Sequence, residues 1–251
     1  YKEGERFYKQ DFTFSRSTTG TYTDSDGYIQ EMPYNLLQQS NQFDTTWYNT
    51  NTTETSGHIG YDGTNNAWLL TKTASYYAQI TQSITSTSGV KTFSVYLKEG
   101  TLSWCRVLAI SASSPECYVN LSNGSLGSQY NNITATSTDV GAGWYRVSLT
   151  FNDTISQVRI YPADANNSVS GISGSIYIQD AQLVKGTSAK TYFPTTTRLN
   201  MPRVDYLNNS NGSLILEPQR SNLITYSSDF SNAAWTKSNL TITANDATSP
   251  D

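Results

Sequence analysis

The sequence is poor in charge, sulfur and histidine. Asp, Glu, Lys and Arg make up only 14% of its 251 residues, and 16 basic against 20 acidic side chains leave a net charge of -4. There is no basic footprint for a phosphate backbone, which excludes nucleic-acid binding, and no polybasic patch for anionic lipid. No apolar run approaches the roughly 20 residues of a membrane-spanning helix, so no membrane insertion is expected. Tyr1-Lys2-Glu3-Gly4-Glu5-Arg6 does not read as a signal peptide. His58 is the single histidine, which excludes multi-histidine metal centres and leaves a serine or cysteine triad only this residue as its base. In Ser56-Gly57-His58 it reads as a loop residue.

Carboxylates are also sparse. Asp139, Asp153, Asp164 and Asp180 fall in separate segments, without the frame that two opposed glycosidase carboxylates need, and no glycine-rich loop matches a phosphate cradle. A protein that is not an enzyme is expected. The two cysteines, Cys105 and Cys117, lie on Leu102 to Ile110 and Glu116 to Leu121, which read as strands joined by residues 111 to 115. A hairpin centred on Ser113 sets Cys105 opposite Leu121 and Cys117 opposite Ala109. The thiols are then four residues apart, roughly 13 Å, beyond disulfide reach. Two buried free thiols are expected.

What the chain has in quantity is Tyr (18), Trp (5), Thr, Ser and Asn, a composition of strands and turns. One stretch recurs. Asn35, Leu36, Leu37, Ser40, Phe43 and Trp47 align with Asn222, Leu223, Ile224, Ser227, Phe230 and Trp235, with one residue inserted before the second tryptophan. A hairpin signal precedes each copy: Thr21-Tyr22-Thr23, Asp24-Ser25-Asp26-Gly27 and Tyr28-Ile29-Gln30 first, then Val204-Asp205-Tyr206, Asn211-Gly212 and Leu214-Ile215-Leu216. A repeat at this spacing implies serial modules, the second cut short, so the sequence is expected to be a piece of a longer chain.

Between the copies, strand signals come at short intervals: Ala67 to Leu70, Tyr77 to Ile84, Lys91 to Lys98, Gly143 to Phe151, Val158 with Ile160, and Ile176 to Leu183. Phe93, Val95 and Leu97 alternate with Thr92, Ser94 and Tyr96, as do Tyr145, Val147, Leu149 and Phe151 with their neighbours. That is the period of a strand with one buried face, and no segment carries a helical stripe. Eight to ten short strands predict an all-β antiparallel β-sandwich, a jelly roll. The expected organisation is a connector and hairpin over 1–33, a jelly roll over 34–196, a linker hairpin over 197–220 and a truncated second jelly roll over 221–251.

The series Asn35-Leu36-Leu37, Phe43 to Trp47, Ala67-Trp68, Ser94 to Lys98, Gly143 to Ser148, Ala181-Gln182-Leu183 and Thr191-Tyr192-Phe193-Pro194 resembles the carbohydrate-binding-module-like jelly rolls of tailed-bacteriophage virion proteins. Such domains occur in tail fibres, head fibres and related appendages. The resemblance covers about residues 12 to 196, with 201 to 251 similar to the start of a second copy. It implies a virion structural protein that is assembled in the host bacterial cytoplasm. It also implies virion proteins as partners, a homo-oligomer of trimeric type, and host-surface polysaccharide as ligand. Two alternatives stay open: a virion spacer or decoration module that binds no glycan, and the binding module of a polysaccharide depolymerase. Asp180 stands where similar jelly rolls place an acidic ligand for structural calcium, which makes calcium the one cofactor in view.

Sugar binding needs an aromatic face for the C–H side of the ring and polar groups for its hydroxyls. Trp68, Trp144 and Tyr145 coincide with motif positions that read as core, and Arg146 reads as a structural partner of a carboxylate or carbonyl. The candidates for glycan contact are therefore Tyr76, Tyr77, Trp104, Arg106, Tyr118, Tyr130 and Tyr161. If the Cys105, Val107 and Ala109 face of their strand is buried, Trp104 and Arg106 look outward together.

Overall fold

The computed structural model describes residues 20–24, 26–31, 35–171, 173–195, 203–207, 213–215, 223, 226 and 229–243. The chain divides into two compact units, residues 1–214 and 215–251. All regular structure among the described residues is β, in sixteen strands. β1 (Thr21–Thr23) and β2 (Ile29–Glu31) form the first hairpin, closed by Asp24-to-Tyr28 bonding with Gly27 at φ 88°. β15 (Arg203–Asp205) and β16 (Ser213–Ile215) form the second two-stranded sheet, and the Tyr206 amide donates to the Thr23 carbonyl of the first.

The other twelve strands make the sandwich. They are β3 (Tyr48–Thr50), β4 (Thr52–His58), β5 (Ala67–Lys72), β6 (Gln79–Thr87), β7 (Val90–Glu99) and β8 (Trp104–Ile110). Then come β9 (Glu116–Asn120), β10 (Leu126–Tyr130), β11 (Thr134–Gly141), β12 (Trp144–Asn152), β13 (Ile155–Ala163) and β14 (Gly174–Lys185). Sheet I runs β10-β9-β8-β13-β6-β3 and sheet II runs β11-β12-β7-β14-β5-β4. Cys105, Val107, Cys117, Val119, Val158 and Ile160 of sheet I face Phe93, Val95, Leu97, Val147, Leu149, Ile176 and Ile178 of sheet II in one buried core. Alternation is what allows this, since every second side chain points into the layer between the sheets. The expected all-β antiparallel sandwich of jelly-roll type is what the chain forms. His58, expected in a loop, ends β4, with its ring edge-on to Tyr177.

The stretch 35–47 plugs one end of this core without forming a strand itself. Leu36, Leu37, Phe43 and Trp47 are all buried, and Asn35 is fully so. Asn35 Nδ2 donates to the Ala181 carbonyl (3.1 Å), while its Oδ1 accepts from the amides of Leu183 (2.9 Å) and Leu37 (3.1 Å). These groups lie where the β14 ladder shifts register between Gln179 and Gln182, with Asp180 at φ 54°. On the other side the Gln82 side chain of β6 accepts from the Gln38 amide and donates to its carbonyl (2.8 and 2.7 Å). One element thus ties both sheets.

In unit 215–251 the second copy of this stretch repeats the local geometry. Phe230 and Trp235 meet in a tilted contact at 5.0 Å and 47°, as Phe43 and Trp47 do at 5.0 Å and 52°. Trp235 Nε1 donates to the Tyr226 carbonyl, the counterpart of Trp47 Nε1 donating to that of Gln39. Tyr226 and Gln39 share a positive φ, 52° and 47°. Leu223, unlike buried Leu36, is 93% exposed.

Cys105 and Cys117 are free and buried, as expected. Their register differs from expectation, because the hairpin turns about Ala112, pairing Cys105 with Val119 and Val107 with Cys117. The thiols are therefore only two residues apart along one core face. Burial pushes both up, Cys117 to about 12, so almost no thiolate exists near neutral pH.

Both features yield measurable consequences. Asn35→Ala removes three buried hydrogen bonds and strands the Leu183 amide and Ala181 carbonyl; we expect a loss of about 3 kcal/mol in urea unfolding, and a loss below about 1 kcal/mol refutes the clamp. With a disulfide-exchange reagent at pH 8, neither thiol should react until denaturant is added; stoichiometric reaction in the native state contradicts their burial.

Candidate functional site

Two outer faces are left once the core is formed, and they differ. Sheet II's outer face is closed over by its own loops. Tyr61 stacks on Tyr96 at 3.8 Å and 3°, Trp144 is fully buried beside them, and Tyr177 and Tyr192 complete the cluster. Tyr61 OH donates to Asp180 Oδ2 (2.9 Å), and the Tyr192 hydroxyl bonds Ser40 Oγ (2.7 Å). Burial, with the Asp180 charge next, raises both phenols well above the ordinary tyrosine range. Arg146 lies over the Tyr96 ring (5.3 Å) and donates to the Lys190 carbonyl and Ser94, a structural role as its sequence context implied.

Asp180 belongs to this closed side. Its carboxylate accepts from Tyr61, and its amide is held by Asn41 Oδ1 (3.0 Å). Among the described residues no group of three or more His, Cys, Asp or Glu surrounds it or any other point. Calcium takes six to eight oxygens, many of them carboxylate. The Asp180 carboxylate is engaged by the Tyr61 phenol, and calcium there stays an expectation of the resemblance alone.

Sheet I's outer face is open. Cys105, Val107 and Ala109 point into the core, so Trp104 and Arg106 stand outward on β8, both half-buried. Register then lines up one transverse row through all six strands: Tyr130, Glu116, Leu108, Arg159, Thr81 and Tyr48. A second row places Tyr118, Arg106 and Tyr161 side by side. At about 4.8 Å per strand the six-stranded row spans about 24 Å.

Five of the seven sequence-derived candidates, Trp104, Arg106, Tyr118, Tyr130 and Tyr161, share this face, but their roles separate. Tyr118 and Tyr161 are only 4% and 1% exposed, because the Arg106 guanidinium covers both rings, at 5.8 and 4.9 Å from their centroids. Arg106 is fixed there by its ion pair with Glu116. As free stacking surfaces these two tyrosines must be corrected: they support Arg106. Burial, chiefly, raises the Tyr118 phenol. Trp104 is different. A Cβ at Gly127, two strands away on β10, would sit 2.7 Å from Trp104 Cζ3, so the indole lies across the sheet surface into space that this glycine leaves. The Asn166 side chain shares that space, and the indole stays half-buried. Tyr130 and Tyr48 are exposed at opposite ends of the row.

Tyr76 and Tyr77 lie apart, on the β5–β6 loop, 63% and 66% exposed and both at positive φ (60° and 51°). Asn51 Nδ2 holds the Tyr76 carbonyl (3.1 Å). Sequence reasoning missed Arg159, Gln157, Tyr48 and Thr81. For Arg159 and Gln157 a signal existed, since they alternate with buried Val158 and Ile160; Tyr48 and Thr81 become visible only once β3 and β6 are paired.

No family model and no curated protein matches the sequence. Among solved structures the chain is similar to a family 61 carbohydrate-binding module in complex with β-1,4-galactotriose, at 12% identity and TM-score 0.37, over 61% of this chain and 99% of that one. It is also similar to the CBM22-1 and GH10 modules of Clostridium thermocellum xylanase 10B complexed with xylohexaose, at 14% identity and TM-score 0.37, over 61% and 28%. A third likeness is to the enzymatically active domain of tailspike protein 4 of bacteriophage CBA120, at 16% identity and TM-score 0.34, over 59% and 21%. With scores of this size, the functional reading rests on the chain's own residues.

Arg106→Ala should lower stability by about 1–2 kcal/mol in urea unfolding, since one ion pair and two ring contacts, all partly solvent-screened, go together. A change below about 0.5 kcal/mol removes its assigned role over Tyr118 and Tyr161.

Proposed function

We propose that this chain is a non-catalytic glycan-binding module that uses the outer face of sheet I. The observation that carries the reading is the half-buried indole of Trp104 on the outer face, beside Asn120 and Arg106, with exposed Tyr130 and Tyr48 at the ends of a row about 24 Å long that crosses β8 four residues from Trp104. A saccharide laid obliquely over the strands meets aromatic side chains for its C–H surfaces and Asn120, Gln157 and Arg106 for its hydroxyls. Glu116 is the single acidic residue in the six strands of sheet I, and Arg106 engages it, so the two opposed carboxylates of a glycosidase have no counterpart there.

The motif order along residues 12 to 196 supports a setting in the fibre or another appendage of a tailed-bacteriophage virion. There the module would be presented to host-surface polysaccharide as part of a homo-oligomer. The repeated turn at 222–235, with the Phe230–Trp235 pair and the Tyr226 bond of the first copy, supports a second module of the same kind beginning there. One observation favours the spacer reading instead: Arg106, Glu116, Tyr118 and Tyr161 satisfy one another without a ligand.

A glycan array and host-cell binding assay on the chain decides between them. Binding should fall at least tenfold in Trp104→Ala while circular dichroism and the unfolding midpoint stay close to wild type. Absence of binding to any glycan or cell leaves the spacer reading in place.

A further inference from the structure

The charges on the sheet I face do not balance. Its six strands contain two arginines and one carboxylate, in a protein whose net charge is -4. Glu116 neutralises Arg106. Arg159, at the centre of the face on β13, has no acidic partner among the described residues. Its Nε and Nη2 both rest on one neutral oxygen, Gln157 Oε1, at 3.2 and 2.7 Å, and its Nη1 reaches Tyr161 OH at 3.3 Å.

That geometry is chemically specific. The Nε/Nη2 edge of a guanidinium matches the two oxygens of a carboxylate in a paired, charge-assisted arrangement, and here a single amide carbonyl occupies it. Gln157 is itself loosely held, since its Nε2 reaches Tyr48 OH and Ser83 Oγ only at 3.5 and 3.3 Å. Beneath this bridge lies Thr81, the cross-strand neighbour of both Arg159 and Tyr48, with no exposed surface and a hydroxyl that has no hydrogen-bond partner. On the same strand, the buried side-chain oxygen Oε1 of Gln79 also lacks a donor. A half-buried cation without an acidic partner, beside the orphaned Thr81 hydroxyl, is costly to leave so, and a ligand group that carries negative charge relieves the first of these costs.

We propose that the glycan bound on this face is acidic, and that Arg159 takes the carboxylate of a uronic-acid-type residue by displacing the Gln157 carbonyl from its Nε/Nη2 edge. This rests on the glycan-binding reading above and names the ligand class it takes. Trp104 sits four residues, about 13 Å, along β8 from Leu108, the partner of Arg159, so an oligosaccharide of several units on the face reaches both. Arg159 carries selectivity for the charged sugar and Trp104 carries stacking.

The test uses the chain as it stands, with oligogalacturonate and hyaluronan oligosaccharides, each beside its carboxyl-reduced form, in calorimetric titrations. Wild type should bind at least one acidic oligosaccharide tenfold or more tighter than its reduced counterpart, and the difference should shrink as salt rises from 50 to 500 mM. Arg159→Gln should abolish the difference, so that acidic and reduced forms bind alike. Arg159→Lys, which keeps charge but loses the fork, should keep only part of it. Equal or tighter binding of the reduced forms, or a preference that survives in Arg159→Gln, overturns the proposal while leaving glycan binding intact. Equally tight binding of dextran sulfate, abolished by the same variant, overturns the carboxylate assignment in favour of a general anion site. No binding to any saccharide in either form overturns both this proposal and the function on which it rests.

Discussion

The sandwich depends on how its inner layer is closed at the end where β14 breaks step. At the bulge between Gln179 and Gln182 the ladder between β14 and β7 shifts register, and beyond Ile178 β14 has no β5 partner, so the Ala181 carbonyl and the Leu183 amide are left to be satisfied on that side. Buried backbone groups of this kind must be paired or they cost a hydrogen bond's worth of free energy each. Asn35 satisfies them with one side chain that donates and accepts at once, and the Ser40 carbonyl accepts from the Ala181 amide. Because Gln38 is bonded to Gln82 of the opposite sheet, the element that heals the bulge also sets the spacing of the two layers. Leu37, Phe43 and Trp47 then fill the volume between them.

That closure decides which face is available for recognition. The same bulge turns Asp180 to the outer side of sheet II, where its carboxylate accepts from Tyr61 and lies beside Tyr192, whose hydroxyl also bonds Ser40. The loops that carry these tyrosines lie on the sheet, and Trp144 and Tyr96 disappear beneath them. Sheet I has no such cover. Its polar and aromatic side chains therefore do the work that loops do on the other side, with Arg106 as lid over Tyr118 and Tyr161 and Arg159 as the cation left over. An open face and a covered face arise from one sandwich, with Asp180 on the covered side.

The parts legible in the sequence are those governed by alternation. The inner strands β5, β7, β8, β12 and β14 show it because one face of each is core, and the outward pairing of Trp104 and Arg106 follows from burial of Cys105 and Val107. Four sandwich strands carried no such signal: β3, β4, β10 and β11. They are the four sheet edges. TTETSGH and TATSTDVG are polar along their length because an edge strand packs little against the core and gains from side chains that discourage further pairing. The hairpin between β8 and β9 was misplaced by one residue since the turn lacks the Asn-Gly or Asp-Gly that fixes a register. Tyr118 and Tyr161 read as free aromatics because only the register of three strands reveals that Arg106 stands over both.

The repeated turn separates what local sequence dictates from what packing adds. Gln39 and Tyr226 share neither size nor polarity, yet both take a left-handed φ and both accept from the tryptophan indole eight or nine residues on. A non-glycine residue is held there at a cost of about 1 kcal/mol or more, so its surroundings must impose it. The Phe–Trp contact and the indole hydrogen bond are present in both copies, whereas burial of the leading leucine is present only in the first. The ring contact and the indole bond thus accompany the order Asn, Leu, Ser, Phe, Trp in both copies, while burial of the leucine depends on what packs around it.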